Sequence, residues 1–225
     1  MVANLDQQRI TVIGAGVSGV ALALLAKTLG ARVFLSEKKT TIPDDSLSQL
    51  EKHQISFESG GHSAKAWDTD LVVISSGISP KSEAVIYAGE RSLPVVGEID
   101  FVVPYLKGGI IAVTGSNGKT TTTSLIGHVL SQLGLKVAVA GNIGNPISCF
   151  AGKDLDYIVV ELSSFQLYWT NLLKPDLAVI TNLAPDHIDW HGNYSNYISA
   201  KSRICQLRKR GSCNNPGKRH STSTN

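Results

Sequence analysis

The sequence predicts an α/β protein built from two parallel sheets, and three observations carry this prediction. Short apolar runs rich in Val and Ile are each followed by a loop and then by a longer stretch of helical periodicity. Several of these runs are apolar at consecutive positions, which is typical of parallel strands that helices cover on both faces. Two units of strand, glycine loop and helix begin about a hundred residues apart, near Gly14 and Gly115, and each indicates its own sheet.

The predicted elements alternate along the chain as the crossover connections of parallel sheets require. Seven strands are predicted, at residues 10–13, 32–36, 71–75, 110–113, 136–140, 157–161 and 177–181. Five helices are predicted, at residues 17–29, 44–53, 80–88, 119–133 and 193–204. The segment 93–109 is rich in Gly and Pro around a short apolar helix, so it is the predicted linker between two domains.

These elements divide the chain into a Rossmann-like domain at residues 1–97, an incomplete α/β domain of the P-loop type at 98–205, and a tail at 206–225. The tail has only Leu207 and Cys213 as apolar side chains, and it is predicted to be disordered because it cannot bury enough surface to offset the entropy of ordering. The chain ends one helix after its seventh predicted strand, in a type of sheet that normally continues. We therefore expect a truncated product.

The composition is that of an ordinary globular protein, with 42% hydrophobic and 17% charged residues among 225. No apolar run approaches the roughly 18 residues that span a bilayer, and the N-terminus lacks a signal-peptide pattern, so we expect a cytoplasmic protein with no membrane partner. Three cysteines at unrelated spacings predict reduced thiols. Five of the 21 basic residues lie in the tail, which leaves 16 against 18 acidic residues in the body, so no nucleic-acid partner is expected.

A glycine-rich loop with a phosphate-binding pattern joins the strand at 110–113 to the helix at 119–133. Glycines let backbone N–H groups turn toward phosphate oxygens, Lys119 can meet the β and γ phosphates, and the Thr120 hydroxyl can take a position on Mg²⁺. The helix N-terminus adds partial positive charge. The predicted ATP-binding residues are Gly115, Ser116, Asn117, Gly118, Lys119, Thr120 and Thr121.

This loop, TGSNGKTTT from Thr114, resembles the shortened ATP loop of the Mur ligases, the amide-forming enzymes of peptidoglycan precursor synthesis. Three further motifs resemble those of the family members that add D-glutamate: GNIGNP from Gly141, ELSSFQL from Glu161, and TNLAPDHIDWHG from Thr181. On its own, a glutamate at a strand end is often only a loop acid, and a lone histidine is more often a packing group than a ligand. Within this motif set, however, the resemblance implies a functional role for both Glu161 and His187.

The resemblance also implies roles for individual residues. The implied ligands of two Mg²⁺ ions are Thr120, Glu161, His187 and Lys201. The implied catalytic residues are Lys119, Glu161, His187 and Lys201, and the implied contacts to the muramoyl substrate are Asn142 and Ser163. Lys201 matches the family lysine that CO₂ carbamylates, a change that replaces a cation by an anionic oxygen ligand. From spacing alone, Lys201 would be a solvated helix lysine.

The first glycine loop follows the strand at 10–13 and opens the helix at 17–29. Gly14, Gly16 and Gly19, with Glu37 at the end of the next strand, favour NAD when taken alone. The family resemblance implies instead the diphosphate of a UDP-sugar. The residues implied to line that site are Gly14, Gly16, Val17, Ser18, Glu37, Lys38, Ser75 and Gly77. Ser76 replaces the proline of the family's Ser-Pro-Gly turn, and we expect this change to loosen the turn.

The resemblance implies an ATP-dependent ligase that joins D-glutamate to UDP-N-acetylmuramoyl-L-alanine through an acyl phosphate. Because the family's amino-acid-binding third domain is not recognisable here, we expect partial UDP-substrate binding, weak ATP binding and no turnover by this chain. Two alternatives stay open. An NAD-dependent oxidoreductase would explain the first loop only, and a non-catalytic nucleotide-binding remnant would keep the fold without the activity.

Overall fold

The chain forms two parallel sheets, as the sequence predicts, in a computed structural model that describes residues 5–207. The strands of the first sheet are β1 (Arg9–Ile13), β2 (Arg32–Glu37), β3 (Ser56–Ser59), β4 (Leu71–Ile74) and β5 (Val95–Gly97). Its helices are α1 (Val17–Thr28), α2 (Asp44–Lys52) and α3 (Glu83–Glu90). The strand order is β3-β2-β1-β4-β5, with parallel pairing throughout, which confirms the α/β class.

The second sheet has four described strands in the order β7-β8-β6-β9, again all parallel. They are β6 (Gly109–Thr114), β7 (Val137–Gly141), β8 (Tyr157–Glu161) and β9 (Leu177–Ile180). The helices of this part are α4 (Glu98–Val102), α5 (Lys119–Gln132), α6 (Ser164–Trp169), α7 (Ile188–His191) and α8 (Tyr194–Gln206). Short 3₁₀ turns span Ala64–Trp67, Val103–Tyr105 and Ile147–Phe150.

Each glycine loop leaves its sheet at the position where the strand order reverses. In the first sheet, β1 lies between β2 and β4, so successive connections run to opposite sides of it. In the second sheet, β6 lies between β8 and β9 in the same way. In open α/β sheets, such a reversal opens a crevice at the carboxyl ends of the strands, and ligands bind there. The topology therefore places both loops at the preferred binding edge of their sheets.

The segment predicted as a linker, residues 93–109, is a packed part of the fold. It contains β5, which completes the first sheet, and α4, whose five residues are all buried. Pro104 falls in the turn Val103–Tyr105 after α4, where a proline does not interrupt a longer helix. The short apolar helix predicted in this segment is present as α4, and the Gly and Pro residues that suggested a linker lie in turns between buried elements. The domain boundary at 97/98 stays a prediction.

One buried apolar cluster runs through both sheets. It includes Leu35 and Val73 of the first sheet and Ala112 and Val160 of the second. Helix α1 also packs on the turn Ile147–Phe150, which belongs to the second half of the chain. The two halves therefore share a core.

The prediction from the sequence lacks two of the described strands, β3 and β5, and places some helix ends at other residues than the structure does. Strand β3, with the sequence SFES, has no apolar run, and β5 has only three residues. Helix α3 begins at Glu83 because the Ser82 hydroxyl caps it by accepting a hydrogen bond from the Val85 N–H at 3.4 Å. Gln206, placed in the tail by the sequence, ends α8, and residues 208–225 lie outside the described part. Within residues 5–207, no helix is both long enough and apolar enough to cross a membrane.

Candidate functional site

The second glycine loop turns out of β6 in a conformation that only glycine adopts easily. Gly115 has φ +149° and Gly118 has φ +77°. A Cβ on Gly115 would lie 1.9 Å from Thr181 Oγ1, so there is also no room for a side chain at this position. Gly118 leads into α5 without a side-chain cap, and the first turn of α5 has no acidic residue. The first N–H groups of this helix are thus available to an anion.

Residues beyond β9 hold the phosphate loop in place. The Asn117 N–H donates to Asn182 Oδ1 at 3.0 Å, and Thr181 Oγ1 donates to the Asn117 carbonyl at 2.6 Å. Ser116 Oγ lies 2.7 Å from the Tyr197 hydroxyl, so the Ser116 side chain supports the loop from below. Lys119 Nζ donates to the Ser116 carbonyl at 2.8 Å, which keeps the lysine folded onto its own loop. Thr121 is exposed at the start of α5.

Thr120, Glu161 and Asn142 meet beside this loop. Thr120 Oγ1 donates to Glu161 Oε2 at 2.9 Å, and Asn142 Nδ2 donates to Glu161 Oε1 at 3.1 Å. Glu161 ends β8 and is only 1% exposed. A hydroxyl, a carboxylate and an amide oxygen are the hard oxygen donors that Mg²⁺ accepts. This group fits a Mg²⁺ bound together with a nucleotide phosphate.

Lys201 lies directly beneath the phosphate loop. It projects from α8, is 2% exposed, and its Nζ donates to the Gly115 carbonyl at 2.8 Å and to Thr114 Oγ1 at 3.3 Å. Burial, followed by the nearby Lys119 charge, lowers the pKa of Lys201 from 10.5 to about 8, while Asp186 and Glu161 oppose that shift. Spacing alone suggests a solvated lysine, whereas the structure shows a buried lysine whose pKa is lowered.

His187 is placed differently from the other residues of the implied metal set. Its Nε2 lies 3.4 Å from Asp186 Oδ2, and its ring centroid lies 4.7 Å from that of Phe165. Within the described chain it forms no hydrogen bond to Thr120 or Glu161, and no group of three or more His, Cys, Asp or Glu side chains there could hold a metal. The backbone of His187 is left-handed, with φ +51°, a costly conformation that often marks functional turns.

The N-terminus of α6 carries Ser163 and a buried serine–histidine pair. Ser163 caps the helix and Gln166 completes a capping box, in which Gln166 Oε1 accepts from the Ser163 N–H at 2.9 Å. His191 Nε2 lies 2.9 Å from Ser164 Oγ, and both side chains are buried. Burial, with smaller contributions from the His187 and Lys201 charges, lowers the pKa of His191. This pair fixes α7 against α6.

The first glycine loop is tightly packed, and one of its backbone N–H groups is hydrogen-bonded to a carboxylate of the protein. A Cβ on Gly19 would lie 1.9 Å from the Gly14 carbonyl oxygen, and a Cβ on Gly14 would lie 2.3 Å from Ser75 Oγ. The Ala15 N–H donates to Glu37 Oε2 at 2.7 Å, so this carboxylate lies against the loop. Helix α1 begins at Val17 without a side-chain cap or an acid in its first turn, which leaves its N-terminus open to a phosphate.

Other implied residues of the UDP-sugar site surround this loop. Val17 is 71% exposed and Ser18 is half-buried. Exposed Lys38 forms an ion pair with Glu83 at 2.8 Å. The hydroxyl of Ser76 donates to the buried carboxylate of Glu98, so the turn that we expected to be loose is held by a hydrogen bond. Gly77 has φ +93°, which explains the glycine of that turn.

Sequence reasoning missed several residues that build the site. Asn182 and Tyr197 support the phosphate loop, and Glu98 and Gln166 join the two sheets. Asn182 could have been found, because it follows β9 at the same carboxyl edge as the loop. The other three lie inside helices, where no local pattern separates a supporting polar residue from an exposed one.

Two sheets with a glycine loop at each reversal point, and a hydroxyl–carboxylate pair beside the second loop, define an α/β nucleotide-binding protein of the P-loop class. The sequence matches the Mur ligase middle domain over residues 113–214 and the MurD N-terminal domain over residues 9–84. The chain belongs to the Mur ligase family.

Its relatives include two proteins named UDP-N-acetylmuramoylalanine–D-glutamate ligase. The one from Acidobacterium capsulatum is 39% identical over 205 residues, which cover 89% of this chain and 44% of the relative. The one from Bacteroides fragilis is 42% identical over 202 residues, covering 88% and 45%. The chain thus spans less than half the length of these relatives.

Solved structures of the family have the same fold. The UDP-N-acetylmuramate–alanine ligase of Thermotoga maritima matches with a TM-score of 0.58 and 25% identity, over 90% of this chain and 48% of that protein. The UDP-N-acetylmuramate:L-alanyl-γ-D-glutamyl-meso-diaminopimelate ligase of Neisseria meningitides matches with a TM-score of 0.63 and 21% identity, over 91% and 69%. The second likeness concerns the fold alone.

Proposed function

We propose that this chain forms the UDP-substrate-binding and ATP-binding parts of an ATP-dependent ligase that adds D-glutamate to UDP-N-acetylmuramoyl-L-alanine. The observation that carries the proposal is the contact of Thr120 with buried Glu161 beside an uncapped helix N-terminus. The name that these relatives share, UDP-N-acetylmuramoylalanine–D-glutamate ligase, supports the choice of substrates. Both glycine loops are then used, one for the UDP diphosphate and one for ATP.

The proposed reaction has two balanced steps. The substrate carboxylate attacks the γ phosphorus of ATP, the bond to the β–γ bridging oxygen breaks, and ADP leaves. The D-glutamate amine then attacks the carbonyl carbon of the acyl phosphate, phosphate leaves with the carbon–oxygen bond electrons, and the nitrogen loses a proton. Phosphorylation is needed because an amine cannot displace oxide from a carboxylate.

The residues of this chain would act mainly by position and charge, as is usual in phosphoryl transfer. Lys119 would leave the Ser116 carbonyl and bind the transferred phosphoryl group. Thr120 and Glu161 would hold one Mg²⁺. A second Mg²⁺ on His187 and carbamylated Lys201 would require the His187 ring to turn away from Asp186 and Phe165, which it contacts here. Bound Mg²⁺ neutralises charge that develops on the phosphate oxygens. The lowered pKa of Lys201 supports carbamylation, because only a neutral amine reacts with CO₂.

Asn142 and Ser163 would contact the muramoyl part of the substrate. Asn142 already bonds to Glu161, and Ser163 lies two residues beyond it, so both are next to the proposed metal. This places the muramoyl contacts beside the site of phosphoryl transfer. The UDP part would lie on the loop of Gly14 and Gly16, with Ser75 and Gly77 across from it.

The oxidoreductase alternative is not favoured. The carboxylate of Glu37, which a dinucleotide fold uses to bind the ribose, accepts hydrogen bonds from the Ala15 N–H at 2.7 Å and the Lys39 N–H at 2.9 Å. The phosphate loop at Gly115 would also have no purpose in such an enzyme. The remnant alternative also predicts nucleotide binding without amide formation, so turnover by this chain, which we do not expect, would exclude it but the absence of turnover would not distinguish it from the ligase.

Isothermal titration calorimetry with UDP-N-acetylmuramoyl-L-alanine and with ATP plus Mg²⁺ tests the proposal. We expect both to bind the chain, and we expect Thr120→Val to weaken Mg²⁺-dependent ATP binding by about tenfold or more, because a charged-site hydrogen bond and a metal ligand are lost. Thr122→Val, in the same helix, is the matched control. If the parent chain fails to bind even one of the two compounds, the proposal is overturned.

A further inference from the structure

The turn after β4 is held by residues from beyond the first sheet. Ser76 Oγ donates to Glu98 Oε2. Trp190 Nε1 donates to the Gly77 carbonyl at 3.2 Å, and Trp169 Nε1 donates to the Ile78 carbonyl at 3.0 Å. Three consecutive residues of the turn are therefore hydrogen-bonded to α4, α7 and α6. The neighbouring Ser75 lies against Gly14, so the same turn also borders the first glycine loop.

Glu98 is an unusual residue to find between two sheets. It is 3% exposed and opens α4. Its Oε2 accepts from Ser76 and from Gln166 Nε2 at 3.3 Å, whereas its Oε1 has no hydrogen-bond partner among residues 5–207. A buried carboxylate with one unpaired oxygen costs stability. Stability alone is therefore a poor reason for a glutamate at this position.

Gln166 continues the chain of contacts into the second sheet. Its amide nitrogen donates to Glu98, while its amide oxygen accepts from the Ser163 N–H at 2.9 Å. Ser163 begins α6 just after β8, at the carboxyl edge of the second sheet. A continuous path of hydrogen bonds, Ser76–Glu98–Gln166–Ser163, thus joins the binding edges of the two sheets.

We propose that Glu98 and Gln166 are positioning residues that set the spacing between the diphosphate turn of the first sheet and the N-terminus of α6 in the second. The ligand that needs this spacing is a nucleoside diphosphate sugar long enough to reach both edges. A short nucleoside diphosphate would contact the first edge alone and would not depend on the path. This inference rests on the proposed function, which supplies the long ligand.

Gln166→Glu breaks the path with little change in shape, because it brings a second carboxylate against Glu98. The double variant Glu98→Gln with Gln166→Glu exchanges donor and acceptor. The amide nitrogen introduced at position 98 takes the place of Oε2 and can donate one N–H to the new carboxylate and the other to the Ser76 hydroxyl, while position 166 still accepts from the Ser163 N–H. Gln49→Glu, on the exposed side of α2, makes the same chemical change away from the path and is the matched control.

Calorimetric affinities for UDP and for UDP-N-acetylmuramoyl-L-alanine test the inference, with a thermal melt of each variant as a check of folding. We expect Gln166→Glu to weaken the long ligand by about tenfold or more, the effect of losing a buried charge-assisted hydrogen bond. We expect UDP to change by less than about threefold, and the double variant to recover most of the loss. Gln49→Glu should change neither affinity.

The outcomes separate the two proposals. If the parent chain binds both ligands but Gln166→Glu weakens them equally, or the double variant recovers nothing, the residues are structural and the inference is overturned. If Gln166→Glu does not fold, Gln166→Ala and Glu98→Ala provide the same comparison of two ligands, and equal losses again overturn it. If the parent binds neither ligand, the proposed function fails and this inference fails with it.

Discussion

Lys201 gives a direct chemical test of the candidate site, because its burial changes its reactivity. The side chain is 2% exposed, donates to the Gly115 carbonyl at 2.8 Å, and lies 4.9 Å from the centroid of the Tyr197 ring. Burial and the Lys119 charge lower its pKa to about 8. Only the neutral amine attacks CO₂, so the neutral fraction limits how much carbamate can form.

The size of the effect follows from that pKa. At pH 8 about half of the Lys201 side chains are neutral, against about 0.3% for an ordinary lysine, a ratio of about 150. At pH 6 the neutral fraction falls to about 1%. We predict that the folded chain, supplied with Mg²⁺ and ¹³C-labelled bicarbonate, shows a lysine carbamate resonance in its ¹³C NMR spectrum at pH 8 that is lost by pH 6.

Lys201→Arg identifies the source of the resonance. The α-amino group, whose pKa is also near 8, gives a carbamate signal of its own, and that signal should persist in the variant. Circular dichroism establishes that the variant is folded, and Lys201→Gln serves as a second replacement. Identical spectra for the parent chain and Lys201→Arg between pH 7 and 9 would refute the reasoning from burial to reactivity.

Two further predictions concern packing and pH. Gly19→Ala should lower the free energy of unfolding, measured by chemical denaturation, by about 1–3 kcal/mol, because its Cβ would lie 1.9 Å from the Gly14 carbonyl oxygen. Gly16→Ala is the control and should lower the free energy of unfolding far less, because a Cβ at Gly16 meets nothing within 4 Å. Equal losses of stability in the two variants would contradict the packing argument. The lowered pKa of His191 means that the unfolded chain binds more protons just below pH 6.5, so stability should fall as the pH drops through that region. His191→Gln should flatten this slope, and an unchanged slope would assign it to other groups.

The sequence predicts both sheets well because buried parallel strands leave a strong local signal. The runs before Gly14 and Gly115 are apolar, and the glycines after them have few alternatives to a tight turn. Strand β3 carries no such signal, since SFES lies at the sheet edge and needs no apolar run. The short apolar helix within the predicted linker is present as α4, but its burial could not be predicted, because Gly and Pro residues occur both in tight turns and in linkers.

The candidate site could be predicted in part. Glu161 and Thr120 belong to strand-end and loop motifs, and the structure places them in contact at 2.9 Å. The burial of Lys201 could not be seen, because its position in α8 becomes buried only when that helix packs beneath the phosphate loop. Glu98 and Gln166 are 68 residues apart in sequence, and only the folded chain brings them together.

The packing of α1 on the turn Ile147–Phe150 has a consequence for protein engineering. A chimaera that takes the first sheet from one ligase and the second from another would create new neighbours at this contact, since α1 and the turn would come from different parents. Such exchanges should therefore transfer residues 17–28 together with 147–150. If the two parents are joined at 97/98 and the turn at 147–150 is not exchanged together with α1, the apolar surfaces of α1 and of the turn will not match.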